Sequence, residues 1–253
     1  MVRLFFGLVL ICFLSGGGYA QWNGCSAGFC GPTANSATFN ITYGSHVEDN
    51  TAQTTYTLAS VGVGSADSNR YAAAVICIRS SNAITRPTVT IGGAATTYVI
   101  EQINGPGPTT YSGIFQTTTA FPSGTTATVV VSGFGSAAAR AAVDGYSVVK
   151  NSATVPSGSD VAIGTLSGIT VTSTVTASPN GRAVTGLCAP SVTTASITSP
   201  ASGISQDHSA AIGGGTTIVG AAHDTTGRTG STTYTWTTAG NTSSAAGTVA
   251  VFQ

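Results

Sequence analysis

The best constellation for chemistry in this chain is Asp207-His208 and His223-Asp224, which flank the turn Gly213-Gly214-Gly215. If the two segments pair as a hairpin, both imidazoles and both carboxylates converge. Such a group can ligate a metal ion or serve as an acid/base pair. The competing reading, which the sequence favours, leaves them as polar loop residues at opposite ends of a sheet. Glycosidase chemistry requires two facing carboxylates; Glu48, Asp49, Glu101 and Asp144 are available, and no spacing singles out a pair. Asp67 and Asn69 could ligate calcium, yet in the turn Ser65–Asn69 they read better as turn formers bonded to the local backbone.

Other catalytic signatures are missing from the sequence. Gly164-Thr-Leu-Ser-Gly168 has its serine one place away from a nucleophile elbow. Lys150 is the only lysine, no phosphate loop precedes a Gly-Lys-Ser/Thr, and no His-Glu-x-x-His pair occurs. Tyr234 and Trp236 alternate within Ser231–Thr238 and so share one face of a strand. Exposed, they would form a stacking platform for a sugar; buried, they are core. Tyr98 and Tyr111 carry the same two readings. No catalytic residue, metal ligand or cofactor is expected, and the chain reads as non-enzymatic.

The elements that position these residues are strands. Ile169-Thr-Val-Thr-Ser-Thr-Val-Thr176 alternates apolar and hydroxyl side chains, the period of a half-buried strand. Similar runs cover Thr54–Val63, Tyr71–Arg79, Pro87–Ile91, Thr96–Ile103, Tyr111–Thr119, Thr125–Val131 and Ala141–Val149. Further runs cover Asp160–Leu166, Arg182–Cys188, Thr216–Ala222, Thr232–Thr238 and Gly247–Phe252. Ser136–Val143 is the one Ala-rich stretch and would make a marginal helix at most. The expected fold is all-β, an antiparallel β-sandwich of jelly-roll or Ig-like type, with the option of two similar half-domains. An internal echo supports that option: Asn69-Arg-Tyr-Ala-Ala-Ala-Val-Ile-Cys77 resembles Asn180-Gly-Arg-Ala-Val-Thr-Gly-Leu-Cys188.

Eight basic and eight acidic residues in 253 give no net charge, where an ordinary domain is about a quarter charged. A surface of hydroxyls and backbone lacks the basic face that nucleic acid demands. Residues 1–20 have the layout of a secretory signal: Arg3, the apolar run Leu4–Leu14, then small residues to Ala20. Residues 21–36 read as an irregular arm with two cysteines. Residues 37–253 read as the sandwich, with a subdivision near 150. Cys25, Cys30, Cys77 and Cys188 remain after processing and can form disulfides in an exported chain. Cys25–Cys30 would close a short loop, and Cys77 and Cys188 lie in strand-like runs as a pair or as buried thiols.

Three stretches carry a resemblance: Ser65-Ala-Asp-Ser-Asn-Arg-Tyr-Ala-Ala-Ala-Val75, Pro87-Thr-Val-Thr-Ile-Gly-Gly-Ala-Ala95, and Tyr234-Thr-Trp-Thr with Ala246-Gly-Thr-Val-Ala-Val-Phe252. Across roughly residues 50–253 the chain resembles β-sandwich virion structural proteins, of minor tail or decoration type, from bacteriophages and prophages of alphaproteobacteria. The opening, with Gln21-Trp22 and Gly28-Phe-Cys30, is similar to that of some phage-borne genes of the same hosts. A signal segment departs from the usual virion protein, which assembles in the cytoplasm. The resemblance implies a structural protein on a virion surface, with no catalytic residues to carry over. Its partners would be further copies of itself and other virion proteins. The alternative is an exported carbohydrate-binding or adhesin module that meets a cell-surface glycan. Neither reading includes a nucleic-acid partner or a membrane span after processing.

Overall fold

The computed structural model describes residues 39–105, 109–150, 158–163, 170–240 and 244–253. The signal-like segment, the 21–36 arm and the Cys25–Cys30 pair lie outside the described residues. No described helix is long and apolar enough to cross a membrane.

All long elements are strands, because β-branched residues alternate with small polar ones almost throughout. The first eight are β1 (Asn40–Asp49), β2 (Thr55–Gly62), β3 (Arg70–Ser80), β4 (Thr88–Ile91), β5 (Ala94–Asn104), β6 (Thr109–Thr117), β7 (Thr126–Ser132) and β8 (Arg140–Val149). They form one antiparallel sheet in the order β1-β8-β3-β6-β5-β4-β7-β2. That sheet folds over at β5 and closes on a core of Tyr56, Val61, Ile76, Ile78, Tyr111, Phe115, Val129 and Phe134. Strands 1, 8, 3 and 6 on one side and 5, 4, 7 and 2 on the other are the jelly-roll order. The Ala-rich stretch at 136–143 is not a helix: Ala138 bridges Gln53, and Arg140 begins β8.

The remaining strands are β9 (Gly158–Ile163), β10 (Thr170–Pro190), β11 (Val192–Ser199), β12 (Ile204–Ala211), β13 (Thr217–Asp224), β14 (Arg228–Gly240) and β15 (Ala246–Phe252). A 3-10 turn, Ile212–Gly214, joins β12 to β13. These strands repeat the first pattern. β9-β15-β10-β13-β12 matches β1-β8-β3-β6-β5, and β11-β14-β10 matches β4-β7-β2. The long β10 does the work of two strands: its first half pairs β14, its second half β13 and β15. It turns between them at a register shift from Ala177 to Gly181, where Asn180 sits at φ 64°. Asn tolerates that left-handed region better than most residues. A second core, with Val171, Leu187, Ala189, Ile218 and Trp236, fills this jelly roll.

Successive residues of β3 serve different layers, as a period of two requires. Ala72, Ala74, Ile76 and Ile78 face the first core, whereas Ala73 and Val75 join Tyr146, Val148, Val184, Ala221, Ala250 and Phe252 in a seam between the jelly rolls. Burial on both faces explains why β3, β6 and β15 are nearly continuous runs of buried residues. The two central strands approach closely enough that a Cβ at Gly186 would collide with Val75 Cγ1. A disulfide crosses it from Cys77 to Cys188, with Cα atoms 5.3 Å apart and 111 residues between them in sequence. The Asn69 and Asn180 segments therefore face each other in the register of their sequence echo, running parallel as the central strands of two halves.

Candidate functional site

One edge of the seam is polar. There β1 and β8 of the first jelly roll meet β12 and β13 of the second, and all three histidines of the chain gather. Two β-bulges direct them. On β1 the pairing with β8 shifts between Tyr43 and His46, which keeps both side chains on the seam face. On β12 it shifts between Gln206 and His208, so the consecutive residues Asp207 and His208 both point into the seam. A bulge inserts an extra residue and re-aims the side chains around it.

His46 has a carboxylate oxygen at each ring nitrogen: Asp144 Oδ1 3.1 Å from Nδ1 and Glu48 Oε2 3.3 Å from Nε2. Its imidazolium form donates to both. Burial opposes that charge, but hydrogen bonding and attraction from Asp144, then Glu48, hold its pKa above the usual 6.5. His208 stacks on His46 with ring centroids 3.6 Å apart and planes 8° from parallel. Its own pKa is lowered, first by burial, with the His46 charge adding to the effect and Asp144 opposing it. The two stacked rings are thus pushed in opposite directions by their surroundings.

Asp144 is fully buried; Tyr43 donates to its Oδ1 at 3.2 Å, while its Oδ2 has no hydrogen-bond partner. His208 Nε2 is likewise buried and unpartnered. His46, Asp144 and His208 each offer one ligand atom, all within 4.8 Å of one another, and could hold a metal ion. Beside them, His223 Nδ1 lies 2.7 Å from Asp207 Oδ2, to which Tyr146 also donates at 2.9 Å. Burial, then the charges of Asp207 and Asp144, push the Tyr146 hydroxyl well above its ordinary pKa. At the rim, Gly213 N–H donates to Glu48 Oε1 at 2.8 Å.

The sequence constellation is partly assembled. Asp207, His208 and His223 do converge through the β12–β13 hairpin, so the opposite-ends reading of these three is corrected. Asp224 points the other way, into the second core. There it accepts from Ala183 N–H at 3.0 Å, Tyr234 OH at 2.5 Å and Arg228 Nη2 at 2.8 Å. His46 was not singled out, and Glu48 and Asp144 had no histidine assigned to them. The only sequence signal was Glu48 two residues beyond His46.

The other candidates have local roles. Tyr234 and Trp236 are 1% and 2% exposed, so the stacking platform is corrected to core: Trp236 Nε1 donates to Thr185 Oγ1 at 3.0 Å. Asp67 Oδ1 accepts from Asn69 N–H at 2.7 Å, a turn contact. Asp49 holds Thr51 and Gln53, and Glu101 pairs with Arg86 and accepts from Tyr111 OH. No protein-family model, curated protein or solved structure matches the chain.

Proposed function

We propose that this protein is a non-enzymatic structural component of a bacteriophage virion, in a decoration, tail or fibre position, acting through its surfaces. The observation that carries the reading is the outer face of the second jelly roll. Thr170, Thr172, Thr174 and Thr176 on β10 stand exposed beside Thr233, Thr235 and Thr237 on β14 and Ser196 and Thr198 on β11. Their hydroxyls bond across strands: Thr172 to Thr235 at 3.2 Å, Thr174 to Thr233 at 2.9 Å and Thr198 to Thr237 at 2.9 Å. The stretches 170–176 of β10, 231–238 of β14 and 192–199 of β11 carry no charged side chain, so packing this face against another copy desolvates no ion.

Two further features support the reading. The buried seam and the Cys77–Cys188 disulfide across it tie the two jelly rolls into one block. Jelly rolls serve capsids, lectins and other roles, so topology alone does not choose among them. The carbohydrate-binding alternative loses its aromatic pair to the core. Among the described residues Tyr98 is the exposed large aromatic, and the Arg86 guanidinium covers its ring at 3.6 Å.

The test is co-sedimentation of the purified protein with virus particles released by cells that encode it, alongside self-association by analytical ultracentrifugation. The wild type should pellet with particles or form a defined oligomer. The Thr172→Lys/Thr235→Lys double variant should fold and do neither. A wild type that stays monomeric and leaves particles bare would overturn the reading.

A further inference from the structure

We propose that His46, Asp144 and His208 form a binding site for a borderline divalent transition cation of the zinc class, which clamps the two jelly rolls together. This goes beyond the structural role above and holds whatever particle the protein serves.

The first observation is the donor set. Two imidazoles and one carboxylate suit zinc and its neighbours, whereas calcium and magnesium prefer oxygen ligands throughout. The three ligands come from β1, β8 and β12, hence from both jelly rolls, with their donor atoms within 4.8 Å. A tetrahedral ion with bonds of about 2 Å needs donors roughly 3.4 Å apart. The rings lie stacked 3.6 Å apart and 8° from parallel, so binding requires them to tilt until both in-plane lone pairs meet at one point, leaving the fourth position to water.

The second observation is independent of the clustering. The fully buried Asp144 has one oxygen without a partner, and the buried His208 Nε2 has none either. Buried polar atoms are normally satisfied, and an orphaned carboxylate oxygen costs the most. Here both orphans belong to the same three-residue group, so one cation satisfies both. Surrounding groups already hold the ligands: Tyr43 OH donates to Asp144, and Glu48, fixed by Gly213 N–H, faces the His46 ring. Such outer contacts orient metal ligands and raise affinity.

The third observation is asymmetry. On the other edge of the seam, β5 packs Val99 and Ile100 against the apolar cluster. Closing a seam edge therefore does not require histidine and aspartate.

The decisive experiment uses the untagged full chain, stripped with EDTA and titrated with zinc. Native mass spectrometry should show one zinc per chain. The melting temperature should rise by about 5–10 °C at a hundredfold excess over Kd, while magnesium leaves it unmoved. Asp144→Asn, close to isosteric, and His208→Ala should each weaken zinc binding by about 100-fold or more. His223→Ala, outside the ligand set, should leave it within about threefold. Cobalt should give the visible absorption of a tetrahedral site in the wild type and not in Asp144→Asn. If His208→Ala does not fold, the wild-type stoichiometry and the Asp144→Asn titration decide alone. The proposal fails if the wild type takes up no zinc. It fails equally if Asp144→Asn binds as tightly as the wild type, or if His223→Ala loses zinc as fully.

Discussion

The two jelly rolls share one strand order but anchor it with different chemistry. At the start of β3, Ala72 N–H donates to Thr117 Oγ1 at 3.2 Å; at the equivalent place on β10, Ala183 N–H donates to Asp224 Oδ2 at 3.0 Å. A neutral hydroxyl and a buried carboxylate thus fill the same position. The first half instead places a buried cation nearby. Arg70, fully buried, donates to the carbonyls of Phe121, Val63, Gly64, Ser65 and Ser123, at 2.7–3.4 Å, and so ties two loops to the strand. The second half balances Asp224 with Arg228, whose Nη2 also reaches Ser202 O at 2.7 Å. Topology sets where an anchor is needed, since an end of the sheet leaves backbone groups to satisfy. It does not set the sign of the anchor.

Four measurements break or sharpen this contrast. The largest effect should come from Arg70→Met, which leaves five carbonyls without their donor. Denaturant unfolding should show a loss of about 5 kcal/mol, and a loss near 1 kcal/mol would show that water replaces the guanidinium. Asp224→Asn keeps the shape but removes the charge that Arg228 and Tyr234 share, and should cost about 3 kcal/mol.

The third measurement is pH dependence, whose rising limb belongs to Lys150, just past the end of β8 in the first half. Burial pushes the Lys150 pKa down from 10.5 to about 8. Between those values the unfolded chain holds a proton that the folded chain has released, so the Lys150 contribution to stability rises with pH, by about 2 kcal/mol between pH 8 and 10. From about pH 9.5 the sign reverses. Tyr56, raised to about 12 mainly by burial, and the more strongly raised Tyr111 and Tyr234 keep protons that the unfolded chain loses. Stability should therefore peak between about pH 9 and 10, and Lys150→Met should flatten the rise below it. A rise that persists in Lys150→Met would assign it to other groups. Last, Thr117→Val should cost only about 1 kcal/mol. If it matches Asp224→Asn, the two anchors are energetically alike and the contrast is one of chemistry only.

Strands whose solvent face carries Thr and whose inner face carries large apolar residues could be read directly from alternation, β2 (Tyr56 and Leu58 inward) and the first half of β10 (Val171 and Val175 inward) above all. Three strands had no such signature: β1, β11 and β12. In β1 and β12 a bulge interrupts the period of two, at Gly44-Ser45 and at Asp207. Those same bulges aim His46 and His208, so the feature that builds the site is the feature that hides its strands. Asp207, His208 and His223 could be grouped conditionally, because a hairpin brings near neighbours together, although the sequence favours placing them at opposite ends of a sheet. His46 and Asp144, 98 residues apart, meet through β1–β8 pairing, and His208 joins them only across the seam.

The all-β class follows from the sequence by itself, because β-branched residues in alternation bury one face of a strand whatever their partners are. So does the likeness of the segments at Asn69 and Asn180. Only the tertiary structure decided what that likeness is for: it sets two jelly rolls back to back, joins Cys77 to Cys188, buries Tyr234 and Trp236, and gathers the three histidines at one edge. Local pattern records which residues prefer to be inside. Which inside they share depends on long-range pairing, and no short window of sequence contains it.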